Sequence, residues 1–219
     1  MAMWPESMKG GSYVSHIGRS QKKLAVQGEY RRIPVCRELY ADRYTPVEVM
    51  RTLRAASRHC FLLESAEQNQ QWGRYSILGY DPVLELTCKG GTLTIRSGGM
   101  EEFTREETRK TSHPGEAIRE ILDRYKMSPG FRECRPFTGG MVGYFSYEYL
   151  RYPEPVLNFP EPGETDFRDV DLMLFTRALV FDHYRQKLCL GGRGGHRAGG
   201  DFLPAGRGGN GTDGGAAEK

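Results

Sequence analysis

The stretch Val83-Leu84-Glu85-Leu86-Thr87-Cys88-Lys89-Gly90-Gly91-Thr92-Leu93-Thr94-Ile95-Arg96 decides the fold class. Its arms, Val83–Cys88 and Thr92–Arg96, read as strands. The Lys-Gly-Gly between them supplies the turn of a hairpin. Working outward, Cys60–Ser65 is a short apolar run that ends in a carboxylate and a hydroxyl. Arg74–Gly79 follows it after a polar turn, Glu67–Gln71. Phe137–Tyr147 and Asp171–Phe181 predict longer strands, and Lys187–Leu190 begins another.

Two segments break this pattern. Thr45-Pro46-Val47-Glu48 is a helix start: the Thr45 hydroxyl can cap the Glu48 amide, and the Glu48 carboxylate can reach back to the Thr45 amide. Pro46 at the first helical position loses no hydrogen bond. Val49, Met50, Leu53 and Ala56 or Ser57 continue at helical spacing. A second helix runs from His113-Pro114 to about Lys126, with Ala117, Ile118, Ile121, Leu122 and Tyr125 on one face. Strands outnumber helices and do not alternate with them regularly. The predicted class is α+β, with largely antiparallel sheets and a few packed helices.

With 38% hydrophobic and 27% charged residues over 219 positions, the chain can build a packed core of one domain, or at most two. No stretch approaches the ~18–20 apolar residues of a membrane span, and the first thirty residues lack the pattern of a secretory signal. A net charge of +3 gives no electrostatic reason to expect nucleic acid. Five irregularly spaced cysteines argue against a disulfide framework and a zinc site, and for small hydrophobes in a reducing cytoplasm.

Composition divides the chain into three. Residues 1–24 are polar and predicted to be loosely ordered, and 25–190 form the globular part. Residues 191–219 hold 12 of the 28 glycines with one Phe and one Leu, a composition predicted to be disordered. The strand begun at Lys187 breaks into this tail with no turn chemistry to close a domain.

Few residues suggest chemistry directly. Phe137-Thr138-Gly139-Gly140-Met141-Val142-Gly143-Tyr144-Phe145 lacks the Lys-Ser/Thr of a phosphate loop. Glycines inside a strand-like run more often mark a bulge or a close backbone approach. No two of the five histidines have metal-ligand spacing. His183 follows Asp182, yet neighbours on a strand face opposite sides. The acidic set Glu154, Glu161, Glu164, Asp166, Asp169 and Asp171 is interrupted by prolines and reads as a solvated loop, with a metal-binding stretch as the alternative. Leu62-Leu63-Glu64-Ser65 places an anion and a hydroxyl at a strand exit. Together they suit a small ligand with an ammonium group, or form a plain strand end with a solvated Glu.

Several stretches, in order, carry a family resemblance. They are Ile33-Pro34-Val35 with Arg37-Glu38, Thr45-Pro46-Val47, Phe61-Leu62-Leu63-Glu64-Ser65 and Gly73-Arg74-Tyr75-Ser76-Ile77-Leu78-Gly79. Pro136–Phe145 with Tyr147-Glu148, Asp171-Leu172-Met173 and Phe181-Asp182-His183 complete the set. Over about residues 25–190 the chain resembles the N-terminal region of anthranilate synthase component I, in the chorismate-utilising enzyme family. The large subunit of aminodeoxychorismate synthase shares much of the pattern and stands as the alternative.

The resemblance implies a regulatory domain that forms an incomplete half of a two-part α/β sandwich. The intact enzyme converts chorismate and ammonia, delivered from glutamine by an amidotransferase subunit, to anthranilate and pyruvate in tryptophan biosynthesis. Its Mg²⁺ ligands and acid/base residues belong to a C-terminal region whose motifs this sequence lacks, so the chain alone is expected to be inactive. By the same likeness Ser65, with Glu64 and Leu63 beside it and Pro46 lining the same pocket, contributes part of an L-tryptophan feedback site. A stand-alone aromatic amino-acid binding module is the reading from another class. Family members continue the Lys187 strand with apolar residues, whereas 191–219 has the composition of GC-rich DNA read out of frame. The resemblance therefore carries the expectation of a truncated or frameshifted form.

Overall fold

The structure, a computed structural model, describes residues 14–15, 33–65, 73–98, 103–126, 137, 139–154, 156–157 and 167–194. For 14–15, 33–37 and 193–194 it describes the backbone alone. Eleven strands are described: β1 (Val14–Ser15), β2 (Ile33–Tyr40), β3 (Cys60–Glu64), β4 (Tyr75–Tyr80), β5 (Leu84–Lys89), β6 (Thr92–Ser97), β7 (Arg105–Lys110), β8 (Gly140–Phe145), β9 (Val170–Phe175), β10 (Ala178–Asp182) and β11 (Lys187–Gly194). Two α-helices, α1 (Pro46–Ala56) and α2 (Pro114–Arg124), and a 3₁₀ helix over Tyr147–Arg151 accompany them. One sheet has the order β1-β2-β11-β10-β4-β3 and the other β7-β6-β5-β9-β8. Each described strand pair is antiparallel. The class is α+β, as the hairpin stretch predicts.

Each sheet buries one face beneath one helix. Helix α1 begins with the predicted capping box: Thr45 Oγ1 accepts from the Glu48 amide at 3.3 Å, and Glu48 Oε2 accepts from the Thr45 amide at 3.1 Å. Its Val49 and Leu53 pack with Leu78, Leu179, Phe181 and Leu188 of the six-stranded sheet. Helix α2 sets Ala117 and Ile121 against Leu84, Leu86, Leu93, Val170, Leu172 and Leu174 of the five-stranded sheet. Leu122, assigned to the buried face from its spacing, is 43% exposed, because the contact stripe is centred on Ala117 and Ile121.

The predicted hairpin is β5–β6, with Gly90 and Gly91 at φ +52° and +74°. Gly143 marks the close backbone approach that its place in a strand suggested. A Cβ there would stand 1.9 Å from the Asp171 carbonyl oxygen. Cys88 and Cys189 are buried and Cys60 is half-buried, all as free thiols.

The strand boundaries depart from the sequence reading at five places. Asp171–Phe181 is two strands in different sheets, with the chain crossing at Thr176–Arg177. The crossing falls on the polar pair Thr176-Arg177, two residues set between apolar stretches that are buried on both sides. The reverse crossing lies between β4 and β5, and the two are tied by Arg177 Nη1 to Asp81 Oδ2 at 3.3 Å. Among the described residues of Phe137–Tyr147, the strand spans Gly140–Phe145. Ile33–Tyr40 is a strand paired along its whole length with β11, through the ladder Tyr40↔Lys187 to Ile33↔Gly194. Arg105–Lys110 is a strand with no apolar residue, held by the β6 ladder and cross-strand pairs such as Arg96 Nε to Glu106 Oε2 at 2.8 Å.

Finally, β11 does not stop at Leu190. It continues through Gly194, past the boundary at 190/191, because ladder bonds to β2 need only backbone and glycine does not forbid them. The rest of the predicted tail, 195–219, lies outside the described residues, as does most of 1–24.

Candidate functional site

The exit of β3 gathers the candidate residues. In the ladder, Leu63 pairs with Ile77 and Glu64 with Ser76, while Ser76 pairs with Phe181 on the next strand. Strand alternation then divides the candidates. Glu64 points to the side that α1 covers, the side of Leu62, Leu78 and Phe181. Leu63 points to the other side, with Ile77, and is 49% exposed. Ser65 is exposed and is the first residue past the strand. Pro46 is half-buried in the first turn of α1. The structure brings Leu63, Glu64 and Ser65 to one strand end but sets Leu63 and Glu64 on opposite sides of it.

The Glu64 carboxylate has a partner that the sequence reading missed. Ser76, only 2% exposed, donates from Oγ to Glu64 Oε1 at 3.0 Å. The same Oγ lies 2.7 Å from Nε2 of His183. A hydroxyl has one proton. With that proton on the bond to Glu64, the contact with His183 requires a hydrogen on Nε2.

The His183 ring stacks on Phe181 at 6.3 Å between centroids and an angle of 14°. Its neighbour Asp182 turns the opposite way, as alternation predicts. Asp182 accepts a two-pronged bond from Arg74, Nε to Oδ1 at 3.0 Å and Nη2 to Oδ2 at 2.6 Å. Burial pushes the Asp182 carboxyl up, but the bonds from Arg74 and the Arg185 amide hold it below its ordinary range. The Arg74 guanidinium also lies over the rings of Tyr75 (4.9 Å) and Tyr184 (5.4 Å).

The side that Leu63 faces is mixed in character. Val180 and Cys189 form its small buried centre, with Tyr75 and Ile77 packed against them. Lys187 Nζ meets Glu38 Oε2 at 2.5 Å at its margin. Apolar surface beside a hydroxyl and charged rim groups can hold an aromatic body while polar atoms fix its end.

A second polar cluster lies beside the other sheet and corrects the solvated-loop reading at Asp169, while Glu154 is exposed as that reading has it. Asp169 is 7% exposed. Its Oδ2 accepts from the Tyr152 hydroxyl at 2.6 Å and from the Gly90 amide at 2.8 Å. The Tyr152 oxygen accepts in turn from the Gly91 amide at 2.8 Å and lies 3.5 Å from Cys88 Sγ. Burial, then the bond to Asp169, raises the Tyr152 hydroxyl far above the ordinary tyrosine range. Asp171 pairs with Arg168 at 2.9 Å. Among the described residues no three His, Cys, Asp or Glu side chains converge on a metal-sized site. Glu161, Glu164 and Asp166 lie outside them. No helix among the described residues is long and apolar enough to cross a membrane.

The contact of Ser76 with His183 and Glu64 escaped the sequence reading because it depends on the register of three strands. The one available signal was the two-residue spacing of Phe181 and His183, which puts the imidazole on the core side of β10.

No family model matches the chain. Among curated proteins, anthranilate synthase component 1 of Acinetobacter calcoaceticus is 35% identical over 164 residues, which cover 74% of this chain and 32% of that protein. The chloroplastic anthranilate synthase alpha subunit 2 of Arabidopsis thaliana is 33% identical over 176 residues, covering 76% and 27%. Among solved structures, anthranilate synthase component I from Streptococcus pneumoniae TIGR4 aligns at a TM-score of 0.39 and 22% identity, covering 68% of this chain and 29% of that one. By sequence, then, the chain is a homologue of anthranilate synthase component 1, and it spans about a third of the length of the curated relatives it matches.

Proposed function

We propose that this chain is the N-terminal regulatory part of an anthranilate synthase large subunit and carries one side of an L-tryptophan feedback site at the β3 exit. The observation that carries the reading is the 35% identity over three quarters of the chain to a protein about three times the matched length. The geometry is compatible with it. Leu63 and Ile77 offer apolar surface, and Ser65 offers a hydroxyl at the end of the same strand. The intact enzyme would turn chorismate and ammonia into anthranilate and pyruvate, with ammonia supplied by a glutamine amidotransferase subunit. The Mg²⁺ and the acid/base groups of that enzyme would belong to the two thirds of the relatives that this chain does not span. Tryptophan bound between the two parts would favour an inactive arrangement through its differential affinity for the two states.

The test joins residues 1–190 to the complementary part of the Acinetobacter calcoaceticus relative and measures anthranilate formation with increasing L-tryptophan. The expected result is inhibition that Ser65→Ala weakens by tenfold or more. Equal inhibition of both chimeras would remove Ser65 from the site, and a chimera that forms anthranilate without responding to tryptophan would remove the regulatory role. The second reading, a stand-alone aromatic amino-acid module, is favoured by the side chains already gathered at β3. Saturable calorimetric binding of L-tryptophan to the 219-residue chain alone, lost in Ser65→Ala, would select it.

A further inference from the structure

We infer that Ser76 and His183 are positioning residues for the β3 exit, acting as a one-proton relay that commits the Glu64 carboxylate to the α1 side and leaves Ser65 as the ligand-facing polar group. The inference rests on the proposed site, and it refines that site by removing Glu64 from direct contact with ligand.

The argument is one of donors and acceptors. Glu64 as a carboxylate only accepts, Ser76 has one proton to give, and His183 Nε2 can either donate or accept. The bond from Ser76 Oγ to Glu64 Oε1 uses the hydroxyl proton. The 2.7 Å contact of the same oxygen with His183 is then made only by an Nε2–H. The tautomer of His183 is thus set by a carboxylate that it does not touch. The relay is also anchored at its far end. The His183 amide donates to the Arg74 carbonyl at 2.9 Å, and Gln186 Nε2 donates to the His183 carbonyl at 2.7 Å. Near-parallel stacking on Phe181 restricts the ring itself. Ser76 is buried at the centre, so its proton goes to one of these two partners, Glu64 or His183. If Glu64 swung towards Leu63, Ser76 would turn its proton to His183, and the imidazole would have to present a bare Nε2.

The experiment reads the imidazole. The ring nitrogens of His183 in the ¹⁵N-labelled 219-residue chain are assigned with His183→Gln. They are measured without ligand near pH 8.5, where imidazoles are neutral. Wild type is expected in the Nε2–H form. Glu64→Ala, a change at an exposed position, is expected to move His183 to the Nδ1–H form, which free histidine disfavours. An unchanged tautomer in Glu64→Ala would overturn the relay. Ser76→Ala is expected to raise the exchange rate of the Ser65 amide about tenfold, with Val180 in mid-strand unaffected, and Ser76→Thr is expected to restore it. Equal Ser65 exchange in all three proteins would remove the positioning role. A parallel titration with L-tryptophan separates the two claims. Absence of binding counts against the proposed site, while the ligand-free spectra still decide the relay.

Discussion

The two sheets each bury a polar cluster, and the clusters differ in how they close. Around Asp169 every group has a counterpart: the carboxylate takes the Tyr152 hydroxyl and the Gly90 amide, and the Tyr152 oxygen takes the Gly91 amide. The set ties the β5–β6 turn to the chain after the 3₁₀ helix. Around Ser76 the chain of bonds is open, running from an exposed carboxylate through one buried hydroxyl to an exposed imidazole. A closed cluster has one good arrangement, so losing a member leaves buried donors unmatched. An open one has two ends that water can satisfy and a proton that can point either way. The first is built for stability, and the second can transmit a change.

The largest effect should therefore follow Asp169→Ala. It leaves the Tyr152 hydroxyl and the Gly90 amide without their acceptor, at a cost of about 3 kcal/mol in unfolding free energy. Urea titration followed by fluorescence checks this. A loss below about 1 kcal/mol would mean that water enters the cluster and that the contrast with Ser76 is false. Tyr152→Phe removes one donor and one acceptor together and keeps the ring, so about 1–2 kcal/mol is expected. Ser76→Ala should cost no more than about 1 kcal/mol, since both its partners face solvent. If Ser76→Ala proved costlier than Tyr152→Phe, the open cluster would be the structural one.

How much of this was legible depends on whether a feature is local. Thr45, Pro46 and Glu48 spell a helix start within four residues, and Gly90-Gly91 spells a turn within two, so both appear as read. Arg105–Lys110 was illegible as a strand because its stability lies in pairing with Thr92–Ser97, not in a buried face. The crossing at Thr176–Arg177 was hidden because residues on both sides of it are buried, each in a different core. Asp169 looked solvated because its partners, Gly90 and Tyr152, are 79 and 17 positions away. For the candidate site, the strand-ending Leu-Leu-Glu-Ser was readable, but the division of Leu63 from Glu64 needed the sheet's register.

The smallest effect concerns the sheet that holds the open cluster and depends on pH. Asp182 is next to His183 but outside the relay, bound to Arg74 at 2.6 Å. Its carboxyl titrates below its ordinary range in the folded chain. A group with a depressed folded pKa stabilises the fold fully above its unfolded pKa of about 4, and that contribution fades as pH falls through the folded value. Wild type should therefore exceed Asp182→Asn in stability at pH 6–7, and the gap should narrow below about pH 4. Thermal melts of the two proteins in both pH ranges make the comparison. A gap for Asp182→Asn that is the same at both would mean that the Arg74 pair contributes packing and not charge.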